Sequence, residues 1–107
     1  MATIKNITSF GEHLRNLRET QSLTLKNVSD QIGIDTSLLA KIERNERQPT
    51  KQIISQVAEY FNVDKKELQS EFLSDQIAYK MLEEEEEGLE ILKVAEEKVV
   101  YLKSQRQ

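Results

Sequence analysis

Residues 24–44 read TLKNVSDQIGIDTSLLAKIER, and the reading of this stretch decides the fold. Thr24 is a candidate N-cap, since its hydroxyl can accept a bond from an orphan amide of the first helical turn. Val28 and Ile32 follow one turn apart and face the same way. Gly33 then falls where a helix commonly ends in a left-handed residue, a geometry that glycine meets without a side-chain clash. Beyond Ile34, Asp35 is placed to cap a second helix. The apolar positions Leu38 or Leu39 and Ile42 share one face of that helix, which leaves Thr36, Ser37, Ala40, Lys41 and Arg44 largely outward. The outward set is short, polar and cationic. Two short helices hinged in this way also occur in ordinary bundles, so the flanks carry weight.

Working outward, Ser9 and Glu12 have capping-box spacing, and the helix they open runs to about Thr20 and buries Phe10, Leu14 and Leu17. His13 lies on that first helix as a surface residue. After the central pair, Pro49 marks a break and Thr50 caps a fourth helix that buries Ile53 or Ile54, Val57 and Phe61 and stops at Asn62. Asp64 and Glu67 form another capping box, opening a fifth helix at Lys65 with Leu68 inward. No segment has the alternation of a strand. The predicted class is therefore all-α, a five-helix head over residues 1–70 followed by a helical segment over 71–107. Tyr60, Phe61 and Phe72 are assigned to the core rather than to base stacking.

The motif and its flanks, LRNLRETQSLT before and IERNERQPT after, resemble the lambda-repressor-like family of helix-turn-helix regulators, also called Xre or Cro/CI-type, over about residues 8–70. The resemblance implies a sequence-specific DNA-binding domain. It implies that Arg18 and Glu43 form a structural ion pair beneath the recognition helix, fixing the angle between the first and third helices without touching a base. It puts Thr36, Ser37 and Lys41 at base edges, with Leu38 near a thymine methyl; Lys41 suits the paired acceptors of guanine in the major groove. Thr24, Arg44, Asn45, Arg47 and Lys51 fall where the family meets the sugar-phosphate backbone, contacts that position a protein without reading sequence. Two positions depart from the pattern. Asn45 stands where the family usually has glycine, and asparagine is the next most tolerant residue for a left-handed turn. Leu25 stands where many relatives carry a glutamine that bonds phosphate; a leucine cannot, although the first-turn amides still favour an anion.

Composition narrows the remaining choices. The 107 residues carry a net charge of −4, which at first disfavours nucleic acid. Residues 1–70 hold 10 Lys and Arg against 9 Asp and Glu, a balance of +1, and residues 71–107 hold 5 against 10, a balance of −5. The acidity belongs to the tail, and charges beyond a Debye length of about 8 Å are largely screened from the head. With no cysteine and one histidine, the chain has neither disulfides nor a thiolate metal site, and no triad or phosphate-cradling loop is apparent, so an enzyme is disfavoured and no cofactor is expected. No apolar run is long enough to span a bilayer and the N-terminus lacks a secretory core, so a cytoplasmic protein is expected.

Past residue 70, Phe72 or Leu73, Ile77, Met81 and Leu82 recur at three- and four-residue intervals, followed by Glu83 to Glu87 and then Gly88, the pattern of a helix meeting a hinge. The glutamates read as a solvated face or helix end, relieved in part by Lys80 or Lys93. Leu89, Leu92, Ala95, Val99 and Leu102 continue the stripe, and Ile91, Val94 and Tyr101 widen it beyond a simple two-stranded seam. Ile77, Met81, Leu89, Leu92, Val99 and Leu102 are accordingly assigned to dimerisation, giving a homodimer that meets a near-palindromic operator on double-stranded DNA. The alternative is an antitoxin or anti-activator whose C-terminal helices occlude a protein partner.

Overall fold

The computed structural model describes residues 7–84 and 87–106. Among them are six α-helices and no strand: α1 (Phe10–Thr20), α2 (Leu25–Ile32), α3 (Thr36–Glu43), α4 (Lys51–Phe61), α5 (Lys65–Glu83) and α6 (Gly88–Ser104). Glu85 and Glu86 of the glutamate run, and the start of the N-terminal segment, lie outside the described residues. The chain divides into two compact units at Phe72/Leu73, with α5 running unbroken past that point.

In the first unit, α1 and α2 each pack on α3, and α2 also packs on α4. One core joins Phe10, Leu14, Val28, Ile32, Leu39, Ile42, Ile54, Val57, Ala58, Phe61 and Leu68. Packing settles what the sequence left open. Leu39 and Ile54 are the buried members of their pairs, while Leu38 and Ile53 pack only partly on the same cluster. Phe72 sits edge-on to Phe10 with ring centroids 5.4 Å apart, and Leu73 is exposed. Leu17 reaches the core only in part, and Tyr60, assigned to the core from sequence, is exposed on one side and lies edge-on to Phe61.

Side-chain capping starts α1, α2, α4 and α5, although among the described residues the return bond expected from Glu67 at α5 is not made. Ser9 and Glu12 make a reciprocal box; Thr24 does the same with Asn27, a partner the sequence reading overlooked. Thr50 Oγ1 accepts from the Ile53 amide at 3.1 Å, and Asp64 Oδ1 accepts from the Lys66 amide at 3.0 Å. Asp35 occupies the cap position of α3 in extended conformation, but its carboxylate makes no cap bond. The start of α3 is tied instead by Thr36, whose hydroxyl lies 2.8 Å from that of the fully buried Ser29 on α2.

The helix ends share one device. After α1, α2, α3 and α4 the chain steps into the left-handed region at Ser22, Gly33, Asn45 and Asn62, with φ of 56°, 74°, 61° and 55°. In each case the next amide returns to a carbonyl five residues back, as with Leu23 N to Arg18 O at 3.1 Å and Glu46 N to Lys41 O at 2.8 Å. These tight stops let four helices crowd into about fifty residues.

His13 departs from its expected surface role, because its Nδ1 lies 2.6 Å from Glu71 Oε2 and both side chains are partly covered. Glu71 and Phe72 therefore belong with the head, whose boundary falls two residues later than the sequence suggested. In the second unit, Gly88 begins α6 and is buried: a Cβ there would stand 2.7 Å from the Met81 carbonyl oxygen. Every described residue from 89 to 106 is exposed. Among the described residues, no helix is long and apolar enough to cross a membrane.

Candidate nucleic-acid interface

The outer face of α3 is built from beneath. The guanidinium of Arg18 donates through Nε to Glu43 Oε2 at 2.8 Å and through Nη2 to Glu43 Oε1 at 2.9 Å, while Nη1 donates to the Leu23 carbonyl at 2.9 Å. The Glu43 side chain is 5% exposed and that of Arg18 12%. The hydrogen-bonded carboxylate raises the Arg18 pKa further, so the guanidinium stays charged. Three bonds from one planar group thus lock the end of α1, the turn before α2 and the last turn of α3. Removing either partner would strand a buried charge, at a cost of about 3–5 kcal/mol.

A second clamp, missed in the sequence, holds the opposite end of α1. Gly11 is buried where a Cβ would stand 2.5 Å from Glu43 O and 2.6 Å from Ile42 O, so α1 crosses the end of α3 at backbone contact. That proximity lets Asn45 Oδ1 accept from the orphan Gly11 amide at 3.1 Å, while Asn45 Nδ2 donates to Ser9 Oγ at 2.8 Å. Asn45, assigned from the resemblance to the DNA backbone, therefore has its amide committed within the head; what it does here is fix the turn after α3. A glycine-sized notch on α1 opposite an asparagine in left-handed conformation leaves no periodic signal.

On the surface so braced, Ser37 and Lys41 are exposed on successive turns of α3. Thr36 is exposed too, though its hydroxyl is engaged with Ser29. Leu38 and Ala40 are half-buried rather than outward, since α3 leans on the core through its Leu38 side. Thr24 accepts from the Asn27 amide at 3.0 Å and keeps its hydroxyl proton available. Arg44 is paired with Glu46 at 2.6 Å on the surface, which raises its pKa and lowers that of Glu46; Lys41 adds to the latter shift from nearby. Among the described residues, no carboxylate lies within ion-pair distance of Lys41, Arg47 or Lys51, and all three are exposed. The exposed cations and hydroxyls thus cluster on α3 and the loop that follows it. Of the residues assigned to dimerisation, Ile77, Leu89, Leu92, Val99 and Leu102 are exposed and Met81 is half-buried, all in the second unit.

Residues 11–71 match the family model described as a helix-turn-helix domain. The chain is similar to the restriction-modification controller protein C.AhdI from Aeromonas hydrophila, whose high-resolution crystal structure aligns with a TM-score of 0.52 and 29% identity over 55% of this chain and 89% of that one. No curated protein matches the chain. The match spans the motif, the Arg18–Glu43 lock and the α4–α5 support together. With more than half its length inside the family model, this chain belongs to the helix-turn-helix domain family, as an all-helical DNA-binding regulator of the lambda-repressor-like, Xre type.

Proposed function

We propose that the chain is a sequence-specific regulator of transcription that acts as a homodimer on a near-palindromic operator, reading the major groove with α3. The observation that carries this reading is the pairing of an exposed hydroxyl-and-ammonium face, Ser37 and Lys41, with the buried Arg18–Glu43 lock directly beneath it. Lys41 recognises guanine, Ser37 and Thr36 meet adjacent base edges or phosphate, and Leu38 contacts a thymine methyl from its half-buried position. Thr36 presents an acceptor lone pair or a redirected proton, since Ser29 shares its hydroxyl. Thr24, Arg47 and Lys51 hold the backbone, and Arg44 joins them by exchanging Glu46 for phosphate. Two heads joined through their second units place two such helices about 34–36 Å apart, and the second contact becomes intramolecular, which compensates for a head of nearly neutral charge. Similarity to a restriction-modification controller protein supports a regulatory role.

A second reading, an antitoxin or anti-activator, is favoured by the uncovered apolar surface of α6, which suits a foreign helix as well as a second copy. Selection of bound fragments from random duplex DNA, beside a mass measurement of the free protein, separates the two. An inverted-repeat consensus bound by a dimer supports operator control; a monomer without a consensus overturns it. In the same assay Lys41→Ala is expected to relax preference at one base pair per half-site by about 1–3 kcal/mol, whereas Lys51→Ala weakens all sequences alike and lowers the salt dependence by about one phosphate. Equal loss across sequences for Lys41→Ala would move that residue to the backbone set.

A further inference from the structure

We infer that Ser29 sets the hydrogen-bonding sense of Thr36, so that Thr36 meets the major groove as an acceptor and selects the exocyclic amino group of an adenine or a cytosine. This rests on the reading of α3 as the groove helix above and adds what one of its residues takes.

The wiring begins inside the head. Ser29 is fully buried on α2, and its hydroxyl meets two oxygens: it donates to the Lys26 carbonyl at 3.2 Å and lies 2.8 Å from the Thr36 hydroxyl. A serine has one proton to give and two lone pairs with which to accept. The carbonyl can only accept, so both contacts are hydrogen bonds when the Ser29 proton lies on Lys26 and the Thr36 proton lies on Ser29. In the reverse arrangement, with Ser29 donating to Thr36, a Ser29 lone pair would face the carbonyl oxygen where no solvent reaches. The Thr36 proton is thus committed inward.

Thr36 is exposed, and what it keeps toward the outside is lone pairs. Backbone phosphates carry no proton, so a hydroxyl held in this way cannot bond them, and the choice between phosphate and base edge falls to the base. In the major groove the donors on base edges are adenine N6 and cytosine N4; guanine and thymine present oxygens there. Meeting such an oxygen would turn the Thr36 proton outward and break one buried bond, a loss of about three- to tenfold in affinity. Ser29 is therefore a positioning residue: it touches no base, yet it decides which base edge Thr36 accepts.

The test uses full-length wild type, Thr36→Val and Ser29→Ala on duplexes carrying the selected consensus. The base pair at which Thr36→Val loses preference is the one that Thr36 reads. Replacing the adenine or cytosine of that pair by its analogue without the amino group is expected to weaken the wild type about three- to tenfold and to leave Thr36→Val unaffected. Inverting the pair sets an oxygen where the amino group stood; a similar loss is expected for the wild type and almost none for Ser29→Ala, whose Thr36 proton is free to donate. Alanine is a good helix former, and a merely structural effect of Ser29→Ala would weaken both duplexes alike and leave their ratio unchanged. An unchanged ratio, or an analogue that binds the wild type as well as its parent, would overturn the inference. So would a Thr36→Val consensus identical to that of the wild type, although an inverted repeat with the Lys41 position intact would then leave the operator reading standing. A wild type without any consensus would remove that reading, and the inference with it.

Discussion

At Gly11 and Ser22 the backbone sets opposite requirements, and one substitution at each tests both. Gly11 lies where α1 meets the carbonyls of α3 at 2.5–2.6 Å from an added Cβ, and backbone cannot step aside as a flexible side chain would. Gly11→Ala, despite a better helix former, is expected to lower stability by about 1–3 kcal/mol through forced separation of α1 and α3. Ser22 holds φ 56° at the end of α1, a conformation that costs a residue with a Cβ. Ser22→Gly is expected to raise stability by about 0.5–1 kcal/mol, the relief of strain exceeding the added freedom of the unfolded chain. Urea unfolding of both variants reads the two signs; a neutral Gly11→Ala would mean that the crossing of α1 over α3 relaxes freely.

Among the elements, α1 depends most on a titratable cap. The Glu12 carboxylate accepts from the Ser9 amide at 3.1 Å and from the Ser9 hydroxyl at 2.9 Å, and these bonds hold its pKa below the ordinary glutamate value. A group whose folded pKa is depressed contributes stability above its unfolded pKa and loses that contribution as pH falls through the folded value. The increment is thus present at neutral pH and fades below the ordinary glutamate pKa of about 4.3. Glu12→Gln retains an acceptor without the titration. Denaturant midpoints measured from pH 7 down to pH 3 are expected to fall more steeply for the wild type than for this variant; parallel curves would show that the box contributes nothing that titrates. The Schellman-type stops at Ser22 and Gly33 then explain how only four residues separate α1 from α2 and three separate α2 from α3.

For the whole molecule, the division at Phe72 predicts a separable head. Glu71 meets His13 and Phe72 meets Phe10, so a chain ended after Ser70 would lose both contacts, whereas one ended after Phe72 keeps the core complete. The 1–72 fragment is expected to unfold cooperatively as a monomer and to bind operator DNA about 10²- to 10⁴-fold more weakly than the full chain, the loss coming from effective concentration rather than from any base contact. Sedimentation of the fragment and a titration of operator DNA check this together. A fragment that stays dimeric would place the joining surface on the head.

Periodicity and cap chemistry were enough to show where the helices lie. Thr24, Gly33, Ser9 with Glu12, and Asn62 act within four residues of themselves, and such short-range physics is written directly in the order of residues. The apolar spacing likewise gave most of the core, because one helical face must be buried wherever the helix goes. Tertiary structure alone decided which of Leu38 and Leu39, or Ile53 and Ile54, is inside, since neighbours at i and i+1 both satisfy the pattern until a second helix arrives. It alone revealed the Gly11–Asn45 clamp, the Thr36–Ser29 bond that replaces an Asp35 cap, and the Arg44–Glu46 pair that occupies a cation of the proposed backbone set. Each of these joins groups through space, and a hydrogen bond depends on where two atoms meet rather than on how far apart they stand in the chain.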